Sequence, residues 1–109
     1  INDTFAMTNM IQKILELVRL EMGIEYDEES LHYERFITHL KFLVQRVYRH
    51  ELLKDEEIEF ARMMENKYPK EYECSKHIAE YIEKEYGSGI ASEEIMFLAI
   101  HIKRVCMAG

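Results

Sequence analysis

The sequence contains few of the residues that interrupt regular secondary structure, with four glycines and one proline among 109 residues. A β-sandwich or barrel needs many tight turns, so this scarcity favours helices. Basic residues are also in the minority, with 14 Lys and Arg against 21 Asp and Glu and a net charge of −7. That sign of charge disfavours direct contact with a nucleic-acid backbone. The two shortages predict an acidic helical domain that does not itself bind nucleic acid.

Long apolar runs and clustered cysteines are missing as well. The longest apolar run, Ile95 to Ile100, has six residues, whereas a membrane span needs roughly 20. Cys74 and Cys106 lie far apart without metal-type spacing, which favours a reducing cytoplasm over a disulfide-bonded secreted domain. The chain begins at Ile1 rather than Met, and its length suits one core. We therefore expect residues 1–109 to form one cytoplasmic domain, excised from or related to a larger protein, with no membrane insertion.

Apolar residues recur at helical spacing in five segments, which predicts a compact all-α bundle of about five helices. The first two predicted helices are Thr4 to Met22, ended by Gly23, and a long central helix with Ser30 as N-cap that reaches Leu52 or Leu53. The last three are a helix capped by Asp55 with Ile58, Ala61, Met64 and Tyr68 facing inward, a helix between Pro69 and Gly87, and a helix from Ser92 to Met107 closed by Lys103 and Arg104.

The second segment carries a stripe of ionisable residues on an otherwise apolar helix. At about 100° per residue, spacings of four and seven place five side chains within an arc of about 60°. They are His32, Arg35, His39, Arg46 and His50. A helix that is apolar on nearly every other side belongs in the centre of a bundle. Its polar stripe must then face a cleft, a partner subunit or hydrogen-bond partners.

The fifth segment repeats this pattern on a smaller scale. His101 follows the longest apolar run and shares a helix face with Glu94, Phe97 and Arg104. Its apolar neighbours favour burial, so its ring nitrogens should be held by other groups. A histidine of this kind is usually a hydrogen-bonded core residue. The alternative is that both imidazoles meet phosphate, because a neutral ring nitrogen attacks phosphorus and arginine stabilises the added charge.

Metal and enzyme chemistry have little support. Cys74 and His77 offer two zinc ligands on one helix, but a structural site needs four. A metal held by His32, His39 and Glu28 would be repelled by the arginines of the same stripe. The sequence has no glycine-rich phosphate loop and no recognisable nucleophile motif. We predict no metal, no cofactor and no enzymatic activity, and purified protein with stoichiometric metal would favour a metal-dependent enzyme instead.

Two stretches resemble a known family. RFITHLKFLVQR, residues 35–46, resembles the histidine helix of the PTS regulation domain, in the second of two copies found in bacterial sugar-operon antiterminators. EIMFLAIHIKRV, residues 94–105, resembles the C-terminal motif of the same family. The family usually has Gly-Tyr and Leu-Thr where this chain has Met96-Phe97 and Leu98-Ala99. The replacements remove two hydroxyl groups that would form hydrogen bonds around His101.

The resemblance implies a regulatory phosphoacceptor. His39 and His101 would accept phosphoryl groups from the phosphocarrier protein HPr or from a sugar-specific EII component of the phosphotransferase system, with Arg46, Arg104 and Arg35 near the phosphate. Such domains pair as homodimers and transmit sugar availability to an attached RNA-binding or DNA-binding domain. The alternative that remains open is a helical homodimerisation or interaction module whose histidines are structural only.

Overall fold

The computed structural model describes residues 3–51 and 58–108, and all regular secondary structure in these ranges is helical. Five helices follow one another along the chain. They are α1 (Asp3–Met22), α2 (Leu31–Arg49), α3 (Ile58–Lys67), α4 (Pro69–Tyr86) and α5 (Ser92–Ala108). The predicted all-α bundle of five helices is confirmed. No helix in the described ranges is both long and apolar enough to cross a bilayer.

Three predicted helix boundaries are confirmed by their capping contacts. Gly23 ends α1 with φ of 65°, and the following amide donates to the Arg19 carbonyl at 3.2 Å, as in a Schellman motif. The Ser30 side chain accepts a hydrogen bond from the Tyr33 amide at 3.1 Å and so caps α2. Gly87 ends α4 with φ of 66°. Glycine suits both C-terminal positions because it has no Cβ to oppose a left-handed backbone.

The predicted end of α2 at Leu52 or Leu53 is wrong. The helix ends at Arg49, and His50 adopts a left-handed conformation with φ of 56°. The amides of His50 and Glu51 donate backward to the carbonyls of Val47 and Arg46 at 3.3 and 2.9 Å. These bonds satisfy two of the four free carbonyls at the end of the helix and stop its propagation. The predicted cap at Asp55 lies outside the described residues.

The core is formed where α5 packs against α2 and α4 while α1 covers α2 and α4. Its largest fully buried side chains come from four helices. They are Met10, Ile14 and Val18 of α1, Phe36, Leu40, Leu43 and Val44 of α2, Cys74, Ile78 and Ile82 of α4, and Leu98 and Ile102 of α5. A second buried group joins α3 to α4 and α5 through Ala61, Tyr72, Met96 and Ala99. Helices α2 and α5 are thus fixed side by side.

The buried face of α3 differs from prediction at its first residue. Ile58 is 48% exposed rather than inward-facing, because it stands at the start of α3 and the buried contact of this short helix centres on Ala61. Met64 is partly buried against that contact.

Lys103 and Arg104 do not close α5, since the helix continues to Ala108 and its last turn has no basic residue.

Candidate functional site

The two predicted acceptor histidines lie side by side between α2 and α5. The ring centroids of His39 and His101 are 4.7 Å apart, with 32° between the ring planes. Each ring also contacts a phenylalanine of the opposite helix. Phe36 stacks with His101 at 6.0 Å, and Phe97 meets His39 edge-on at 6.3 Å. Packing of α2 against α5 therefore joins two residues that are distant in sequence into one site.

Enclosure keeps both imidazoles uncharged at neutral pH. Nε2 of His39 and Nδ1 of His101 are buried and have no hydrogen-bond partner among the described residues. Burial, followed by the charge of Arg46, lowers the pKa of His39 to about 4. Burial also lowers the pKa of His101 to about 4, with smaller contributions from His39, Arg104 and Arg35. A neutral ring retains the nitrogen lone pair that an attack on phosphorus requires.

Arg46 contacts a buried carboxylate. Its Nε donates to Oε2 of Glu94 at 2.8 Å, and Nη2 donates to the same oxygen. Glu94 is only 3% exposed and lies in the first turn of α5, where the positive end of the helix dipole favours a negative charge. The ion pair compensates a carboxylate that would otherwise be strongly destabilising in this position.

The second carboxylate oxygen of Glu94 faces His39. Oε1 lies 3.7 Å from Nε2 of His39, which is too long for a hydrogen bond, and neither atom has another partner in the described part of the chain. Glu94 thus borders both an acceptor candidate and its arginine. The sequence places Glu94 two turns before His101 on the same face, yet its role was not predicted. An acid directly before the longest apolar run is the signal that could have revealed a buried ion pair.

The other two predicted arginines remain exposed at the edge of the site. Arg35 lies on α2 and Arg104 on α5. Neither has a side-chain hydrogen bond or ion pair to another residue within ranges 3–51 and 58–108. Both are close enough to help lower the pKa of His101. The site therefore contains one arginine held by a carboxylate and two whose guanidinium groups can meet an incoming anion.

The ionisable stripe of α2 divides in the folded chain. His39 and Arg46 face α5 through the contacts above, whereas His50 forms the exposed C-terminal cap. His32 is half-buried and lines a surface cleft that also includes Arg104. His50 therefore lies outside the site, whereas His32 lies in a cleft that adjoins it beside α5.

The weak zinc candidates have other contacts. Nδ1 of His77 lies 2.7 Å from Oε1 of Glu21, and Nε2 lies 3.3 Å from Oε1 of Glu73. Cys74 is fully buried, and burial raises the pKa of its thiol to about 12. Within the described ranges, no group of three or more His, Cys, Asp or Glu side chains is arranged to hold a metal ion.

Comparison with known proteins gives these helices a family context. The PRD domain family matches residues 12–105. Over 99 residues the chain is 42% identical to the transcription antiterminator LicT of Bacillus subtilis (strain 168). The aligned region covers 91% of this chain and 36% of LicT. Over 103 residues it is 35% identical to the beta-glucoside operon antiterminator of Dickeya chrysanthemi, with coverage of 94% and 36%. Over 96 residues it is 33% identical to protein GlcT of Staphylococcus aureus (strain JH9), with coverage of 88% and 34%.

The chain spans about a third of the length of these relatives. The matched range contains all of α2 and nearly all of α5. Both histidines, their arginines and Glu94 therefore lie inside it. The resemblance inferred from the two sequence motifs is confirmed: this chain belongs to the PRD domain family, of the type present in antiterminators such as LicT.

Proposed function

We propose that this chain is a regulatory domain of a bacterial transcriptional regulator or antiterminator, phosphorylated on His39 and His101 by phosphotransferase-system proteins. The donor is HPr or a sugar-specific EII component, and the modification reports sugar availability. The main support is the pairing of two neutral imidazoles, 4.7 Å apart, beside arginines on both helices. The relatives named as antiterminators support the transcriptional context.

The proposed chemistry transfers a phosphoryl group from one imidazole to another. The P–N bond of the donor's phosphohistidine breaks, and its electron pair returns to the donor ring. The lone pair of a nitrogen of His39 or His101 forms the new P–N bond. The proton on the other nitrogen of the acceptor ring passes through solvent to the donor ring. The donor is therefore left as a neutral imidazole, and the acceptor carries the phosphoryl dianion.

Arginine supplies the electrostatic part of the reaction. A phosphoryl group brings roughly −1.5 to −2 charges and several strong acceptor oxygens. Arg35 and Arg104 present guanidinium groups at the exposed edge of the site, and bidentate bonds from arginine suit a phosphoryl group in flight and after transfer. This local excess of positive charge stands in a chain with a net charge of −7.

Phosphorylation would act on activity by shifting a homodimer equilibrium. Moving a population from 1:99 to 99:1 requires about 5.5 kcal/mol of differential stabilisation. One modification commonly supplies a coupling of about 1 to 3 kcal/mol. Two-fold symmetry repeats each acceptor in the partner subunit. Two or four phosphoryl groups per dimer would therefore complete the switch, and one would give a partial response.

Intact-mass measurement tests the phosphoacceptor assignment. The chain is incubated with phosphoenolpyruvate, the general phosphotransferase proteins and either donor. Wild type should gain about 80 Da per phosphoryl group, and the modification should be acid-labile because the bond is P–N. His39→Ala should lose one group, and the double variant with His101→Ala should lose both. His77→Gln, which alters a histidine outside the site, should behave as wild type.

Failure of wild type to label with either donor would overturn the phosphoacceptor role. The domain would then be a helical interaction module in which the paired histidines are structural. Sedimentation of the modified and unmodified forms tests the second step. An unchanged monomer to dimer ratio after full labelling would contradict control through dimerisation.

A further inference from the structure

The ion pair between Arg46 and Glu94 conflicts with a phosphoryl group at the neighbouring histidine. Arg46 is bound through two of its nitrogens to one oxygen of Glu94, and the other oxygen lies 3.7 Å from the His39 ring. A phosphoryl group on His39 would bring a second anion into a site that already encloses a carboxylate. Like charges that share a partly buried site repel strongly.

We propose that phosphorylation of His39 transfers Arg46 from Glu94 to the phosphoryl group, so that Glu94 acts as a positioning residue that controls when this arginine is available. The inference rests on the phosphoacceptor function proposed above and adds the regulation of that site. In the unmodified domain Glu94 holds the guanidinium beside the acceptor ring. In the modified domain the phosphoryl group, with its larger charge and additional acceptor oxygens, competes for the same donors.

The exchange has a structural consequence because Glu94 is enclosed. The residue is 3% exposed, and a buried carboxylate that loses its cationic partner is strongly destabilised. Glu94 lies in the first turn of α5, directly after the non-helical segment of residues 87–91. The released carboxylate can reach water if this first turn shifts away from α2. The exchange thereby couples the chemical state of His39 to the packing of α5 on α2.

The test compares the phosphorylation equilibrium of two variants with that of wild type. Each protein is equilibrated with a fixed ratio of phosphorylated to unphosphorylated HPr, and the labelled fraction is measured by intact mass. Glu94→Gln keeps the side-chain shape but removes the competing charge, so the equilibrium constant for labelling should rise about tenfold. Arg46→Gln removes the stabilising cation, so the constant should fall about tenfold. Glu65→Gln, which removes a carboxylate paired with Lys76 on the surface, should match wild type.

Nuclear magnetic resonance gives a second readout, in which the ion pair itself is left unaltered in wild type. The Nε–Hε resonance of Arg46 reports its bonding partner and can be assigned from its absence in Arg46→Gln. It should shift on phosphorylation in wild type. It should shift much less when the His39→Ala variant is labelled on His101 alone.

The possible outcomes separate this inference from the function beneath it. If wild type does not accept a phosphoryl group, the proposed function and the exchange fail together. If wild type is labelled but Glu94→Gln stays within twofold of it, or the Arg46 resonance does not move, the exchange is overturned and the phosphoacceptor function stands. A raised constant in Glu94→Gln together with a shifted Arg46 resonance supports the exchange.

Discussion

Histidines beside carboxylates occur in two regions of this molecule, and the two regions treat the imidazole in opposite ways. His77, on α4, meets Glu21 of α1 at 2.7 Å near the surface, and this hydrogen bond raises the pKa of the histidine. His39 and His101, between α2 and α5, have pKa values lowered mainly by burial. The carboxylate near His39 does not reverse that shift, because Glu94 is neutralised by Arg46.

The comparison shows that residue type alone does not determine what a histidine does. At His77 the charged form gains a direct partner and remains in contact with water, so the pair serves as a surface link between two helices. At His39 the carboxylate belongs to an arginine and the ring is enclosed, so the neutral form is favoured. The first arrangement suits a structural contact, and the second suits the phosphoacceptor role proposed for these rings.

The largest effect should come from breaking the ion pair that creates this difference. Arg46→Met keeps much of the side-chain volume but leaves Glu94 buried without a cation. We expect a loss of about 3 kcal/mol in the free energy of unfolding, as for other buried pairs that lose one member. Urea denaturation followed by circular dichroism measures the change. A loss below about 1 kcal/mol would indicate that Glu94 is hydrated, contrary to its position in the fold.

The second-largest effect should be on the pH dependence of stability, which differs in sign between the two regions. The folded pKa values of His39 and His101 lie near 4, below the ordinary value of 6.5. Between these values the unfolded chain binds more protons than the folded chain, so folding is stabilised above pH 6.5 and that stabilisation is lost as pH falls toward 4. His77 has a raised folded pKa, and its contribution is present at low pH and is lost as pH rises through the folded value.

For His39 and His101 together, we expect the free energy of unfolding to fall by about 2 kcal/mol from pH 7 to pH 5. This value allows for the partial exposure of the two rings and for the coupling of their titrations. The double variant His39→Gln, His101→Gln supplies the control, because every other titrating group is retained. Denaturation curves at several pH values should show a shallower pH slope in the double variant. Equal slopes in the two proteins would contradict the burial of neutral imidazoles.

The sequence predicts the helical framework well because its signals are local. Spacing of apolar residues, the side chain of Ser30 and the glycines at positions 23 and 87 act within one or two helical turns, and the structure bears them out. The end of α2 was harder to predict. Apolar Leu52 and Leu53 extend the helical pattern, but a non-glycine residue, His50, takes the left-handed position.

The candidate site was only partly predictable, because its chemistry depends on contacts between helices. Helical spacing in the sequence identified His39, Arg46 and His101 as unusual residues on apolar helices. The spacing could not show that α5 would bring Glu94 to Arg46 rather than leave this acid in solvent. That pairing depends on how the two helices are rotated about their axes and shifted along them. Nor could the spacing separate His39 from His50, which share a face of the same helix and differ in what covers that face.

The difference between His39 and His50 leads to a smaller stability effect. His50 is exposed and has φ of 56°, a conformation that glycine adopts without the strain imposed by Cβ. His50→Gly should raise the free energy of unfolding by about 1 kcal/mol. Thermal denaturation measures the gain, and the labelling assay should give the same mass increase as wild type. A loss of labelling in this variant would place His50 in the functional site with His39.

The smallest effect should follow from breaking the surface pair. Glu21→Gln removes the charge that bonds to His77 but leaves an amide of similar shape. Because the His77 side chain is 41% exposed, solvent screens the interaction, and the free energy of unfolding should fall by less than about 0.5 kcal/mol. The pKa of His77 should nevertheless decrease toward its ordinary value, since its main raising contact is lost. Proton resonances of the imidazoles follow this titration directly.

A large stability loss without a change in the His77 titration would show that Glu21 acts through packing of α1 on α4. The contrast between a charged surface link and a neutral buried pair would then not hold.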